Sequence, residues 1–298
     1  LFPYTTLFRS KPFVFQPEKT DLTKSLNGVF AFAGAEKWVF ADHLLNVPMA
    51  TIATTPAEAK NIEKEKIDAA KPAFKAYAEA LKFMTEHAAG LKGHASRGPE
   101  LINAANYGYD QTVQMFADGN ALFIQQGNWA YSNIEKINPE TAKNVSFIPL
   151  KMPFTDEMIQ DGRTAEQINS SIIVTTGNYY AINAKVSEEQ QKQAVEFLKW
   201  MEKEENVQKW IIDSFKFIPY NVTPEMKLEN PLSESIQKYL SAGQTFNDTV
   251  VGTPKTWSGE KVGTALLEQY IGKEEWDDET LDQIADLCVN SWKELKAE

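Results

Sequence analysis

Cysteine, histidine and arginine are scarce in this chain of 298 residues, which has one cysteine, three histidines and three arginines. Cys288 has no partner for an internal disulfide, and its apolar helical neighbours predict a small buried side chain rather than a nucleophile. His43, His87 and His94 are not spaced to place two imidazoles on one metal ion, so we expect no metal site. The net charge of −11 and the pI of about 5.0 exclude the basic surface that nucleic-acid binding requires.

Long apolar runs and catalytic motifs are also missing. No hydrophobic stretch approaches the roughly 20 residues that a bilayer-spanning helix needs. The sequence has neither a glycine-rich phosphate loop followed by Lys-Ser/Thr nor a Gly-x-Ser-x-Gly nucleophile motif. Adjacent acidic residues, such as Asp277 with Asp278 and Glu204 with Glu205, are typical of solvated helix ends. We therefore expect a protein that is not an enzyme and needs no cofactor.

The most informative stretch that is present runs from Tyr109 to Pro153. It begins with an apolar helical face that should end at Gly119, where a left-handed cap favours glycine. A buried strand is predicted from there to Gly127, and a second strand over Val145–Leu150. Trp129 then lies at the start of a helix just beyond a strand end, which is where open α/β sheets bind their ligands.

The spacing of Phe116, Gly119, Gly127 and Trp129, followed by a strand and a proline-rich loop, resembles the extracellular solute-binding proteins of ABC importers, specifically the carbohydrate-binding group. The strand and helix start around Ala181–Ser187 are also similar. The resemblance implies an α/β fold of the periplasmic-binding-protein type (type II), in which a hinge joins two lobes. It further implies a carbohydrate ligand, a membrane permease as partner and ATP hydrolysis by a separate subunit.

The resemblance also implies a location outside the cytoplasm, either free in a periplasm or lipid-anchored at a cell surface, and we expect a monomer. Residues 1–10 read as a translated sequencing adapter, with a genuine amphipathic amino terminus as the alternative. By resemblance, 11–170 belong mainly to the carboxy-terminal lobe, and 171–222 are a remnant of the amino-terminal lobe. The hinge and the remaining carboxy-terminal-lobe helices take 223–298. Most of the amino-terminal lobe and any signal segment would then precede the chain, and the strand at Ile172–Thr176 should expose an apolar edge.

Sugars are recognised by an aromatic ring against the apolar face of the pyranose and by fixed polar groups around the hydroxyls. Trp129, with Asn128 beside it, is the first candidate for such a ring. The residues alone allow it equally to fill a helix–sheet gap, and the resemblance favours a ligand contact. Trp257, in a loop before a helix with Glu260 one turn on, has the same two interpretations.

A second group of candidates follows the β-branched run that ends at Thr176. Gly177 and Asn178 offer backbone and amide hydrogen bonds, and Tyr179 is the nearer of two tyrosines to the glycine, although an ordinary turn explains the pattern as well. Glu36 and Trp38 fall where members of the family often contribute a contact.

Two other classes of function stay open. A carbohydrate-active enzyme fragment would have a similar composition, and its two carboxylates would face each other only in three dimensions. Peptides, polyamines and phosphonates are the nearer rivals to a sugar, because a charged ligand requires unpaired charged side chains, whereas a neutral sugar favours Asn, Gln and Trp. The remaining helical aromatics are predicted to be core residues: Phe197, Trp200 and Trp210.

Overall fold

The computed structural model describes residues 24–90, 98–175 and 179–297. Helices dominate it, and the strands are short and lie in two parallel pairs. The strands are β1 (Phe30–Ala31), β2 (Phe123–Ile124), β3 (Ile172–Val174) and β4 (Thr245–Asn247). The predicted α/β class is therefore confirmed as a mixture of helix and sheet. The sequence of residues 11–16 also favours a strand, but that segment lies outside the described residues.

Five helices are long enough to present a continuous face. They are α1 (Lys71–Glu86), α2 (Tyr109–Ala117), α3 (Glu188–Met201), α4 (Pro231–Ser241) and α5 (Asp278–Ala297). Shorter α-helices are Asn46–Met49, Pro56–Lys60, Lys64–Ala69, Ala104–Tyr107, Tyr131–Ile137, Pro139–Ala142, Ala165–Asn169, Glu204–Asn206 and Thr264–Leu266. Turns of π-helix cover Val39–His43, Val207–Ser214, Trp257–Gly263 and Leu267–Ile271, and 3₁₀ turns cover Gly98–Ile102, Asn128–Ala130, Asp156–Met158 and Val250–Gly252.

The main core lies where α1 and α5 pack along each other. Both helices carry apolar residues at a period of about 3.6, which gives each one a single buried stripe. Trp292 of α5 is fully buried and meets Trp257 edge-to-face at 5.0 Å between ring centroids. Cys288 is buried on the same stripe, as predicted, and burial raises the pKa of its thiol. Surface ion pairs at the rim of this interface contribute little by comparison.

The helix predicted before Gly119 is confirmed as α2, and Gly119 has the left-handed φ of +76° that its position as a cap requires. β2 follows and pairs in parallel with β1, with Phe30 opposite Phe123. β2 is shorter than predicted, and Phe123 is 41 % exposed.

The second strand predicted in this block, over Val145–Leu150, is wrong, because the segment is irregular. The backbone N–H of Phe147 donates to the hydroxyl of Ser235 in α4 at 2.7 Å instead of to a neighbouring strand. An apolar run becomes a strand only where another backbone edge is available to pair with it.

β3 pairs in parallel with β4, with Ile173 opposite Phe246. Within the described residues β3 has no other strand partner, and Val174 at its end is 37 % exposed. The structure therefore agrees with the expectation of an apolar strand with an open edge at this position.

The segment after β3 departs most from the predictions. The capping box of α3 is present, since Ser187 and Gln190 bond each other's backbone N–H groups. The aromatic residues of this segment are not core residues, however, because Phe197 is 55 % exposed, Trp200 is 41 % exposed and Trp210 is also exposed. Residues 179–183, whose sequence favours a strand, are irregular as well.

Candidate functional site

The chain segments that leave the carboxyl ends of β1, β2 and β4 carry the residues of the candidate site. β1 leads to Glu36 and Trp38, β2 leads to Gln126 and Trp129, and β4 is followed directly by Asp248. Because the strands of each pair run parallel, their carboxyl ends lie at the same edge, where α/β folds commonly place their ligands.

A partly buried carboxylate fixes the first aromatic ring. Glu36 Oε2 accepts a hydrogen bond from the indole Nε1 of Trp38 at 2.9 Å, and Glu36 Oε1 accepts from the backbone N–H of Tyr109 at 3.1 Å. Tyr109 is the first residue of α2, so the carboxylate also lies at the positive end of a helix dipole. Both oxygens of Glu36 are therefore used to hold Trp38 against the start of α2.

A π-helical turn adds a second ring. Trp38 precedes the π-helix Val39–His43, whose i→i+5 hydrogen bonds widen the turn and bring residues five apart toward the same face. His43 accordingly meets the Trp38 ring edge-on, with 4.9 Å between ring centroids and an interplanar angle of 87°. Trp129 lies 5.1 Å from His43 and 6.4 Å from Trp38, and Tyr109 lies 6.1 Å from Trp38.

We call these four residues, Trp38, His43, Tyr109 and Trp129, the aromatic cluster. All four are partly buried, so each ring packs on its neighbours and keeps some accessible surface. The hydroxyl of Tyr109 accepts from the side-chain amide of Asn133 at 3.2 Å, and burial raises the pKa of Tyr109. Tyr109 is therefore protonated at neutral pH and retains its own O–H as a donor.

Unpaired polar atoms lie directly after two of the strands. Among the described residues, five buried side-chain polar atoms lack a hydrogen-bond partner, and four of them belong to residues directly after β2 and β4. They are Gln125 Oε1, Gln126 Nε2, Asp248 Oδ1 and Thr249 Oγ1. Gln126 also accepts from the indole Nε1 of Trp129 through its Oε1 at 3.3 Å. Because buried polar groups are normally paired, their concentration at the strand ends indicates a place that receives hydrogen bonds from outside the chain.

Backbone contacts hold Asp248 close to the aromatic cluster. The buried Asn46, one turn beyond His43, accepts from the backbone N–H of Val250 at 2.9 Å. Asp248 Oδ2 accepts from the hydroxyl of Thr175 at 3.0 Å, which ties the end of β4 to the end of β3. These contacts leave Oδ1 as the unpaired oxygen of Asp248.

The imidazole of His43 is neutral at pH 7. Burial lowers its pKa below the usual value of 6.5, and the nearby carboxylates of Asp248 and Asp42 only partly oppose that effect. Asp42 is itself bonded to Ser258, whose hydroxyl donates to its Oδ1 at 2.6 Å. The site therefore combines carboxylates and uncharged aromatic and amide groups.

Four of the residues predicted from the sequence meet here, namely Glu36, Trp38, Asn128 and Trp129. Asn128 begins the 3₁₀ turn Asn128–Ala130 that carries Trp129 and is partly buried. Glu260 lies at the periphery, where its carboxylate is 3.6 Å from Nζ of Lys37 and largely exposed.

The structure does not place Trp257 with the aromatic cluster. Its ring is fully buried, it packs against Trp292 and Phe74, and its Nε1 donates to the backbone carbonyl of Cys288 at 2.9 Å. No part of the ring remains for a ligand, so Trp257 acts as a packing residue, the alternative that the sequence left open.

Of the group after β3, Tyr179 is 81 % exposed, and Gly177 and Asn178 lie outside the described residues. Five further residues of the site were not predicted from the sequence, namely His43, Tyr109, Gln125, Gln126 and Asp248. A polar pair directly after an apolar strand was a usable signal for Gln125 and Gln126. No local sequence pattern marked His43 or Asp248 as a site residue, because only the tertiary fold brings them together.

The arrangement can stack an apolar ring face and bond polar substituents around it. Among the described residues, no group of three or more His, Cys, Asp or Glu side chains could hold a metal ion. Of the helices that the structure describes, none combines the length and the apolar character required to cross a membrane.

The model of the bacterial extracellular solute-binding protein family matches residues 19–259, which is most of the chain. The matched range contains the whole aromatic cluster, together with both glutamines and Asp248. No curated protein matches the chain.

Proposed function

The chain belongs to the bacterial extracellular solute-binding protein family, and from that premise we propose that it is the binding component of an ABC importer for a sugar or oligosaccharide. It works outside the cytoplasm, as a monomer that is either free in a periplasm or lipid-anchored at a cell surface. It passes its solute to the membrane permease and needs no cofactor for this role.

The observation that carries the sugar assignment is the pairing of aromatic rings with unpaired amide atoms. Trp38 and Trp129 offer indole surfaces to the apolar face of a pyranose. Gln125 supplies an open acceptor, Oε1, and Gln126 an open donor, Nε2, as a ring bearing hydroxyl groups requires. A peptide would instead use a row of backbone donors and acceptors along an exposed strand edge.

Closure of two lobes about a hinge would dry this site and strengthen its hydrogen bonds. In this proposal, residues 11–170 and 223–298 supply the carboxy-terminal lobe and hinge, and 171–222 belong to the amino-terminal lobe. Gly177, Asn178 and Tyr179 would then approach the sugar from the second lobe. The permease would recognise the closed form.

A thermal-shift screen tests the proposal, because a ligand that binds only the folded state raises the melting temperature. A saturable rise with one class of sugar should be lost in Trp129→Ala. The matched control is Trp210→Ala, which removes an exposed tryptophan outside the aromatic cluster and should retain the rise.

Three other outcomes would count against the sugar assignment. A rise with peptides, polyamines or phosphonates alone would replace the sugar by another solute and leave the family membership intact. Release of products from an oligosaccharide would indicate the enzyme alternative. Retention of the full rise in Trp129→Ala would place sugar binding outside the aromatic cluster and so remove the observation on which the sugar assignment rests.

A further inference from the structure

The two carboxylate oxygens of Asp248 differ in their hydrogen bonding. Oδ1 is buried without a hydrogen-bond partner, whereas Oδ2 accepts from Thr175 at 3.0 Å. Within residues 24–90, 98–175 and 179–297, no lysine or arginine forms an ion pair with this carboxylate. Asp248 as a whole is partly buried, but this one oxygen is out of reach of water and lacks the hydrogen-bond or cationic partner that such atoms normally have.

The side chains around Asp248 do not supply that cation. Asp248 acts electrostatically on His43, but that imidazole is neutral at pH 7 because burial lowers its pKa. Lys37 lies six residues before His43 in the sequence. Its ammonium group pairs with Glu260 and donates to Thr264 instead. Among the described residues, the surroundings of His43 therefore hold an excess of negative charge.

The aromatic rings favour a cation for a separate reason. The face of an indole attracts an ammonium group electrostatically within about 6 Å of the ring centroid, and Trp is the strongest side chain in this respect. Trp38 and Trp129 lie 6.4 Å apart, and His43 contacts both rings. Asp248 acts electrostatically on that histidine, and its neighbour Val250 is bonded to Asn46 one turn beyond it. An ammonium group against these rings would therefore lie in the field of the carboxylate that has an open oxygen.

Polar but uncharged groups occupy the rest of the site. Gln125 and Gln126 carry one open acceptor and one open donor, which suit hydroxyl groups rather than charges. A polyamine would use the carboxylate, the rings and Gln125 Oε1, but it has no acceptor to offer to Gln126 Nε2. A neutral sugar would use the amides and rings but would leave the charge of Asp248 uncompensated.

Resting on the function proposed above, we propose that the solute is an amino sugar, a hexose unit whose free primary amine is bound as an ammonium group by Asp248 beside the aromatic cluster. The remaining hydroxyls bond the two glutamines. Acetylation of the amine would remove the charge and add bulk, so N-acetylated sugars would be rejected.

The test is titration calorimetry at neutral pH with hexoses of gluco, galacto and manno configuration, and with their short oligomers. Each is used in three forms, with a free amine, an acetamide or a hydroxyl at carbon 2. The amine form should bind at least about tenfold more tightly than the other two, because it adds a charge-assisted hydrogen bond and a cation–π contact. This comparison within the unaltered protein needs no variant.

Two variants test whether Asp248 causes the preference for the amine form. Asp248→Asn should lower the ratio of amine-form affinity to hydroxyl-form affinity to about one, because an amide cannot make the charge-assisted bond to the ammonium group. Asp42→Asn is the matched control, because Asp42 also faces His43 but its Oδ1 is already bonded to Ser258. It should keep most of the preference for the amine.

The outcomes separate the two proposals. Equal or tighter binding of acetamide or hydroxyl forms would overturn the amino-sugar inference and leave the sugar-importer function in place. Equal losses of amine preference in Asp248→Asn and Asp42→Asn would overturn the role of the open oxygen. Failure of every sugar to bind the unaltered protein would overturn both.

Discussion

Helices α5 and α3 both carry aromatic side chains on an apolar stripe, but the aromatic stripe of α5 is buried and that of α3 is exposed. In α5, Trp292 is fully buried against Trp257, and the helix packs along α1. In α3, Phe197 and Trp200 stack on each other at 5.9 Å between ring centroids and remain exposed. The comparison shows that helical periodicity specifies an apolar face but not whether another element covers it.

The largest expected effect contrasts one tryptophan from each region. Trp257→Ala should lower the free energy of unfolding by about 3–5 kcal/mol, because it removes a fully buried ring and leaves a cavity. Trp200→Ala should cost about 1 kcal/mol or less, since its ring is already partly in water. Denaturant unfolding followed by circular dichroism measures both changes. Equal costs would show that the face of α3 is covered in solution.

A smaller effect is expected just beyond α3, at the end of the π-helix Val207–Ser214. Lys216 there has a φ of +60°, which is unfavourable for a residue with a Cβ atom. Lys216→Gly should raise the free energy of unfolding by about 0.5–1 kcal/mol, after the entropy that glycine adds to the unfolded chain is subtracted.

Gly119→Ala is the matched control in the better-packed part of the chain. Gly119 has a φ of +76°, and a Cβ added there would meet no atom within 4 Å. Its substitution should therefore lower stability by about 1 kcal/mol through backbone conformation alone. Thermal unfolding of the two variants and the unaltered protein measures whether Lys216→Gly raises stability and Gly119→Ala lowers it. Destabilisation by Lys216→Gly would show that the lysine side chain contributes more than its backbone conformation costs.

The smallest effect concerns pH and the aromatic cluster. Because burial holds the pKa of His43 below its usual value, the unfolded chain binds this proton first as the pH falls. The contribution of neutral His43 to stability is therefore fully present above pH 6.5, the usual histidine pKa, and is lost as the pH falls from there to the lowered pKa.

His43→Gln should remove that part of the pH dependence. The difference in stability between the variant and the unaltered protein should change between pH 7 and pH 5 in favour of the variant. Titratable groups elsewhere contribute equally to the pH dependence of both proteins, so their contributions cancel in this difference. A constant difference across that range would show that His43 keeps its usual pKa in the folded protein.

Local signals in the sequence were sufficient for features that depend on neighbours along the chain. The end of α2 at Gly119 and the capping box at Ser187 are of this kind, and both are present. The irregular Val145–Leu150 segment, by contrast, depended on whether a partner strand was available. Trp129 and Trp257 had equivalent sequence contexts and were separated only by what packs around them.

The candidate site also combines residues that could be predicted from local sequence with residues that only the tertiary fold identifies. Trp129, Trp38 and Glu36 could be proposed from strand ends and family resemblance, but their union with His43 and Asp248 could not. The π-helical turn that aligns Trp38 with His43 has no distinctive sequence signature. Asp248 reaches the aromatic cluster because Asn46 bonds the backbone of Val250, a contact between distant parts of the chain.

The most direct test of the binding site is hydroxyl-radical footprinting with mass spectrometry, in the presence and absence of the sugar that binds most tightly. Oxidation of Trp38, Tyr109 and Trp129 should fall on binding, while oxidation of Phe197 and Trp200 should stay unchanged. The same protection pattern should disappear in Trp129→Ala. Saturation with sugar that leaves Trp38 and Trp129 unprotected, or that protects the α3 aromatics instead, would contradict the assignment of the aromatic cluster as the binding site.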